Sequence, residues 1–459
     1  MLQAMQPIII PRKEHRISRK KVNRNVLQTL YRLRDNGFIA YLIGGCVRDL
    51  LLERTPKDFD IATDARPGQI KRLFRNCRLV GRRFRLAHLH FADEILEVST
   101  FRADALSDES DMEGPVPNNH KPRHLKDDSG MVLRDNVFGT PEQDALRRDF
   151  TINALAYNIA DYSVIDYTTG LGDLREGLIR PIGDPDVRFT EDPVRMLRAV
   201  RFAASHNFVI EPAAWETLCE LSSTISRASP GRLYEEILKL FLFGAARPAF
   251  GLLHISGLLA ALFPGLSLWL SGNTHRLNIM NTNLGYLDQQ CQMGISPSPS
   301  LFFAAFFGHL LEQTALASHR DGIPNRLTQD AVCTEFIEEC ARTVSIPGRV
   351  VSQLRSILAM QHLLHRVPPR RPSVIVKRPE FTDALAYMHL EGELKGENRS
   401  ALAWWDAFLS EKSSSIITER PTDEAPAKRP RRRKRRHRPA LPATASPGDT
   451  KQEAPKIGK

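Results

Sequence analysis

Residues 57–63 read KDFDIAT. Alternation with period two predicts a β-strand here, with Phe59 and Ile61 on one face and Asp58 and Asp60 on the other. Aspartate is a poor strand former. Two carboxylates on one face repel each other and desolvate badly unless a cation lies between them. A divalent cation meets that need, because Mg²⁺ prefers oxygen ligands and is commonly held by one or two carboxylates together with substrate phosphates. A solvent-facing strand with two incidental acids is the plain alternative.

The surroundings favour the cation. AYLIGG, residues 40–45, is a short apolar strand running into a glycine turn, and CVRDLLLE continues as a helix. Gly44 and Gly45 let backbone amides approach a phosphate, with a helix start behind them. Arg48 offers a fork of donors to the same anion. In ILEVSTFR, Glu97 faces away from Leu96, Val98 and Thr100 on a hairpin strand expected beside DFDIAT, where it would complete an acidic triad. An edge-strand acid is the alternative for Glu97. Asp149, in RRDFTINAL, precedes a helix-like run and is either an N-cap or a catalytic acid, and Arg147 and Arg148 beside it suit a triphosphate.

A second cluster lies in EDPVRMLRAVRF. Asp192 before Pro193 predicts an N-cap with proline at the first helical position. Arg195, Arg198 and Arg201 recur every three residues, about 300° of helix rotation. They form a slowly precessing row instead of a scattered solvated face.

A chain of 459 residues predicts two or three domains. Net charge is +11, concentrated at the ends. Residues 420–459 carry thirteen Lys/Arg against four Asp/Glu, and residues 1–22 carry six against one. The body between is slightly acidic. Basic arms of this kind suit a polyanionic partner, since each neutralised phosphate releases a counterion. Six scattered cysteines without a C-x-x-C pair argue against a zinc site or a disulfide framework and fit a reducing compartment. With no apolar run of about 18 residues and no signal-peptide core, the expectation is a cytoplasmic protein without a membrane span.

Along the chain the patterns predict a basic arm (1–24), a mixed α/β unit (25–170), a helical neck (171–250), a helical body (251–411) and a disordered basic tail (412–459). The polar, Pro- and Gly-rich residues 103–134 read as a mobile loop. No strand-like alternation persists after Asp192.

The segments GGCVRDLLL, DFDIAT, EVSTFR, RRDFTINALAYN, EDPVRMLRAVRFA and RLYEEILKLF, in this order over roughly residues 25–245, resemble the nucleotidyltransferase family of tRNA CCA-adding enzymes and bacterial poly(A) polymerases. LVGRRFRLAHLHF, residues 79–91, and the basic tail look like the poly(A) polymerase branch. The resemblance implies an α+β fold, with a nucleotidyltransferase head of mixed β-sheet and helices followed by all-α neck and body. It implies that Asp58 and Asp60 bind two Mg²⁺ ions, one activating an RNA 3′-hydroxyl and the other holding the incoming ATP and the departing pyrophosphate. Glu97 or Asp149 would be the further catalytic carboxylate. Gly44, Gly45, Arg48 and Arg148 would bind the triphosphate, Asp192 and Arg195 would read the base, and Arg198 and Arg201 would buttress them or contact phosphate. RNA would run along Arg82, Arg83 and Arg85 and along Arg431, Arg432, Arg433, Lys434, Arg435 and Arg436. The partners implied are RNA 3′ ends and RNA-decay machinery, with the enzyme a monomer.

No template is implied, so side chains choose the base. Adenine presents an N6 donor beside the N1 acceptor, matching an Asp acceptor and an Arg donor. Cytosine presents the same order, whereas guanine and uracil present the reverse. Asp192 and Arg195 thus explain A and C over G and U, but not A over C. The sequence therefore points first to an ATP-dependent RNA-polyadenylating enzyme, next to a CCA-adding enzyme, and last to a non-catalytic RNA-binding relative.

Overall fold

The structure is a computed structural model that describes residues 6–81, 86–103, 124–126, 132–135, 137–318, 325–395 and 399–418. The chain divides into two units, residues 1–405 and 406–459. The first begins with β1 (Ile8–Ile10), α1 (Arg24–Asp35), β2 (Ala40–Ile43), α2 (Gly45–Leu51), β3 (Asp60–Thr63), α3 (Pro67–Leu73), β4 (Cys77–Val80), β5 (Leu86–His90) and β6 (Ile95–Thr100). Then come β7 (His124–Lys126), β8 (Val132–Asp135), α4 (Pro141–Leu146), β9 (Ala156–Asn158) and β10 (Val164–Asp166). Eight strands form one sheet in the order β1-β10-β9-β2-β3-β6-β5-β4. Within it β3 and β6 run parallel, while β2 and β3 are antiparallel. Tyr41, Ile43, Ala62, Phe101, Ala156 and Ile165 pack as one buried cluster on this sheet.

Helix α1 carries its apolar stripe and its cap within its own sequence. Val26, Leu30 and Leu33 are buried on one face, the Asn23 side chain caps the start, and Gly37 with φ +82° follows the end. β6 likewise alternates, with Leu96, Val98 and Thr100 buried and Ile95 and Glu97 exposed.

Three expectations are corrected. The DFDIAT strand is shorter than its alternation implied, starting at Asp60 and leaving Asp58 and Phe59 in the approaching turn. The partner strand explains this. β2 ends at Ile43, paired with Asp60, and Gly44 at φ +76° swings the chain away into α2. Residues before Asp60 therefore lose their β2 partner. Second, β7 and β8 pair as an antiparallel hairpin within the segment read as a loop, of which 104–123 and 127–131 lie outside the described residues. Third, a two-residue strand, β12 (Val209–Ile210), pairs in parallel with β11 (Leu178–Ile179), so strand pairing does persist beyond Asp192.

The helical part begins with α5 (Gly170–Glu176), α6 (Pro185–Glu191), α7 (Val194–His206), α8 (Pro212–Leu221) and α9 (Pro230–Phe241), and continues to Thr418. Its core is aromatic. In the helix Pro299–Ala317, every residue from Ser300 to Leu311 is buried, as expected of a helix apolar all round. Phe302 stacks on Phe241 with centroids 4.7 Å apart, and Phe306 packs on Phe241 at 5.2 Å. Among the described residues no helix is long and apolar enough to cross a membrane.

Candidate active site

The turn between β2 and α2 sets the site. Gly44 combines φ +76° with a tight approach: a Cβ there would lie 3.0 Å from Arg148 Nη1 and 3.6 Å from Asp60 Oδ2. The positive φ favours glycine, and a side chain there would also press on the end of Arg148. Its backbone thus draws the first residue of β3 and an arginine from the end of α4 to one point. They line a cleft of about 570 Å³ together with Gly45, Arg48, Asp58, Asp149, Arg198 and Arg201. Nine residues singled out from the sequence therefore converge on one cleft.

Asp58 and Asp60 are both exposed to solvent. Protein packed around Asp60 pushes its carboxyl above the ordinary value, the Arg148 guanidinium opposes this, and Glu97 and Asp58 add to the rise. Two carboxylates open to the same cleft and flanked by arginine are a donor set that fits a divalent cation.

Asp149 is placed differently. Its Oδ1 accepts from the Phe150 amide at 2.9 Å and from Asn153 Nδ2 at 3.1 Å. Its Oδ2 accepts from Arg198 Nε at 2.7 Å, with Nη2 at 2.6 Å. Burial alone would push this carboxyl up, but the Arg198 charge and the Asn153 hydrogen bond outweigh it and hold the group far below the usual carboxylate range. Both oxygens are thus engaged within the protein.

The arginines divide by partner. Arg48 is buried, donating to Asp49 Oδ1 through Nε and Nη2 and to Asn153 Oδ1 through Nη1. It braces the turn. Arg148 donates to the Asn153 carbonyl at 3.3 Å and to Asp144 at 3.1 Å while lying against Gly44. Arg198 pairs with Asp149 and Arg201 with Glu236. The row on α7 is therefore a set of positioned cations, each with its own acid.

Four candidates lie outside the cleft lining, one of them Arg147, which lines a separate pocket with Arg102 and Asp144. Glu97 is the parallel ladder neighbour of Asp60, and His88 Nε2 is 3.6 Å from its carboxylate. Arg195 donates to the Arg188 carbonyl at 3.0 Å and to Glu191 at 3.3 Å. Asp192 is not the N-cap expected of it. It ends α6, Pro193 precedes α7, and its carboxylate takes a bidentate pair from Arg232 at 3.1 and 2.7 Å. The reason is that an N-cap side chain must reach the following amides, whereas a guanidinium fork offers this carboxylate both oxygens at once. Arg82, Arg83, Arg85 and Arg431 to Arg436 lie outside the described residues.

Some residues of the site carried no sequence argument. Asn153 ties Arg48 to Asp149, and its place four residues after Asp149 in DFTIN was the available signal. Arg232, Glu236, Lys57, Lys239 and Phe243 had no local signal, since each is defined by a partner or a cleft formed by distant chain.

Comparison with known proteins bears on this geometry. The family described as "Poly A polymerase head domain" matches residues 40–180, "Probable RNA and SrmB- binding site of polymerase A" matches 207–270, and "Polymerase A arginine-rich C-terminus" matches 322–439. The chain is 39% identical over 436 residues to Poly(A) polymerase I of Salmonella typhimurium, spanning 93% of this chain and 92% of that one. The chain belongs to the poly(A) polymerase family. The CCA-adding enzyme of Lactobacillus gasseri is 35% identical over 232 residues, covering 50% of this chain and 53% of its own. The Bacillus stearothermophilus CCA-adding enzyme, solved in complex with CTP, shares the fold, with a TM-score of 0.57, 24% identity and coverage of 85% of this chain and 82% of that one. The poly(A) polymerase likeness thus runs nearly the whole chain, while the sequence likeness to the CCA-adding enzyme spans half of it. The head match contains the glycine turn, both aspartates of the cleft and Asp149.

Proposed function

We propose that this chain is a template-independent poly(A) polymerase, transferring AMP from ATP to RNA 3′ ends with release of pyrophosphate, as a cytoplasmic monomer in mRNA polyadenylation and RNA turnover. The observation that carries the proposal is the convergence of Asp58, Asp60, Arg148 and Arg198 on one cleft at a glycine turn. Asp58 and Asp60 would hold Mg²⁺, which when bound supplies activation of the 3′-hydroxyl and neutralisation of the triphosphate. Gly44 and Gly45 leave room for phosphate oxygens, and Arg148 beside them supplies positive charge. Asp149 keeps Arg198 aimed into the cleft, and Glu236 does the same for Arg201. Donors held in place before substrate arrives need no reorganisation as charge builds on the leaving pyrophosphate. Arg82, Arg83, Arg85 and the arginine-rich tail would hold the RNA backbone without regard to sequence.

Asp192 and Arg195 would read the base, each fixed by a neighbour: Arg232 for the first, Glu191 for the second. Arg232→Ala is expected to raise the KM for ATP about tenfold, with Arg232→Lys failing to rescue because an ammonium cannot replace the bidentate fork. Steady-state kinetics with a fixed oligo(A) primer check this. An unchanged ATP KM would remove Arg232 from the reading site.

CCA addition is the second reading, motivated by the shared fold. The purified chain with Mg²⁺, an oligo(A) primer and single NTPs decides between the two. Long tails from ATP alone are expected. Incorporation confined to C, C and A on a truncated tRNA would sink the polyadenylation reading.

A further inference from the structure

Resting on that reading, we infer that Phe243, at the exit of α9, is the stacking platform for the 3′-terminal base of the RNA primer. Phe243 is 57% exposed, whereas Phe241 two residues earlier is fully buried. Gly244, with φ +81°, turns the chain immediately after it. Its exposure is located where it has a use, because the ring lines the same cleft as Asp58 and Asp60. Lys57 Nζ lies 4.1 Å from the ring centroid, and Lys57 directly precedes Asp58. The ammonium takes one face of the ring, while the residue as a whole stays more than half exposed. Lys239, a little over one turn back on α9, lines the cleft as well and is half exposed.

An aromatic face flanked by lysines is the chemistry that binds single-stranded nucleic acid. The lysines take the backbone, and the ring takes any base, because every base has a π-face. Two bases must be seated at this reaction, that of the incoming nucleotide and that of the primer end. Asp192 and Arg195, assigned to the first, lie outside the cleft lining. Phe243, which lines the cleft together with the acidic pair, is assigned to the second. Stacking is indifferent to base identity, which suits an enzyme that must accept varied 3′ ends before it has made its own tail.

The test uses the full chain and a short oligoadenylate at fixed salt, by equilibrium titration. Binding needs no turnover, so its failure is distinct from a failure of AMP transfer. Phe243→Leu is expected to weaken primer binding about tenfold, and Phe243→Trp to restore it. A primer with an abasic 3′-terminal nucleotide should cost the parent a similar factor and cost Phe243→Leu nothing further, since coupled groups do not add. In kinetics the primer KM should rise and the ATP KM stay within about twofold of the parent. The inference is overturned by unchanged primer affinity in Phe243→Leu, by an abasic penalty equal in both proteins, or by a rise in ATP KM alone, which would seat the incoming base on the ring.

Discussion

Asp60→Ala is expected to lower AMP incorporation about 10²- to 10³-fold, the scale lost when a transition state loses positioned charge stabilisation, without loss of the fold. Asp60 is exposed at the start of β3, whereas Ile61, Ala62 and Thr63 behind it carry the packing. Removing its carboxylate therefore opens no cavity. The ionisation works in the same direction. Because the protein packed around the carboxyl and the neighbouring acids Glu97 and Asp58 raise it, the folded state holds its proton more tightly than the unfolded chain does. Above the ordinary aspartate range the ionised group then opposes folding. The variant should melt slightly higher than the parent in chelator, and Mg²⁺ should stabilise the parent more than the variant. Thermal melts with and without Mg²⁺, beside an oligo(A) extension assay, check both halves. Activity within tenfold of the parent would end the assignment of Asp60 as a metal-holding residue, and Asp58→Ala repeats the test independently.

Asp149→Ala should behave in the opposite way, losing stability as well as activity. It removes the acceptor of two Arg198 nitrogens, the Asn153 amide and the Phe150 amide, and leaves a guanidinium facing the cleft without its acid. Breaking a largely buried pair from one side costs about 3 kcal/mol. Asp149→Asn keeps the shape and removes the charge, which exposes the pH dependence. The folded carboxyl is held far below its ordinary value, so its contribution is complete above the unfolded range and is lost as pH falls through the folded value. The stability gap between parent and Asp149→Asn should be flat from neutral pH down to about 4 and shrink below that. Urea titrations across pH measure it. A gap absent at pH 7, or one undiminished in strong acid, would contradict the Asp149–Arg198 geometry.

Much of the head was legible because its constraints are local. Gly44 needs a positive φ, and that shows as a glycine pair after an apolar strand. β6 alternates because one of its faces is buried, and α1 carries its core stripe and its cap within the sequence window. The errors came where a distant partner decided the outcome. DFDIAT alternates over seven residues, yet its ladder stops at Asp60 because β2 leaves the sheet at Gly44. Asp192 has the local form of an N-cap, yet Arg232, forty residues on, claims its carboxylate.

The same division runs through the chemistry. By itself the sequence determined which residue types were present to act: a glycine turn, two aspartates, an arginine row and a dense basic tail, in an order specific enough to identify the family. Their types and order pointed to phosphate, metal and nucleic-acid chemistry, while each acid alone kept a plain structural alternative. Only the tertiary structure decided how the roles were shared. It committed Arg48 to bracing the turn, gave Asp149 to Arg198 in place of an open coordination site, kept Asp60 open beside Glu97, and turned Phe243 into the cleft. The physical reason is that charge pairing and burial depend on what lies within a few ångströms, and those neighbours come from parts of the chain that no local pattern brings together.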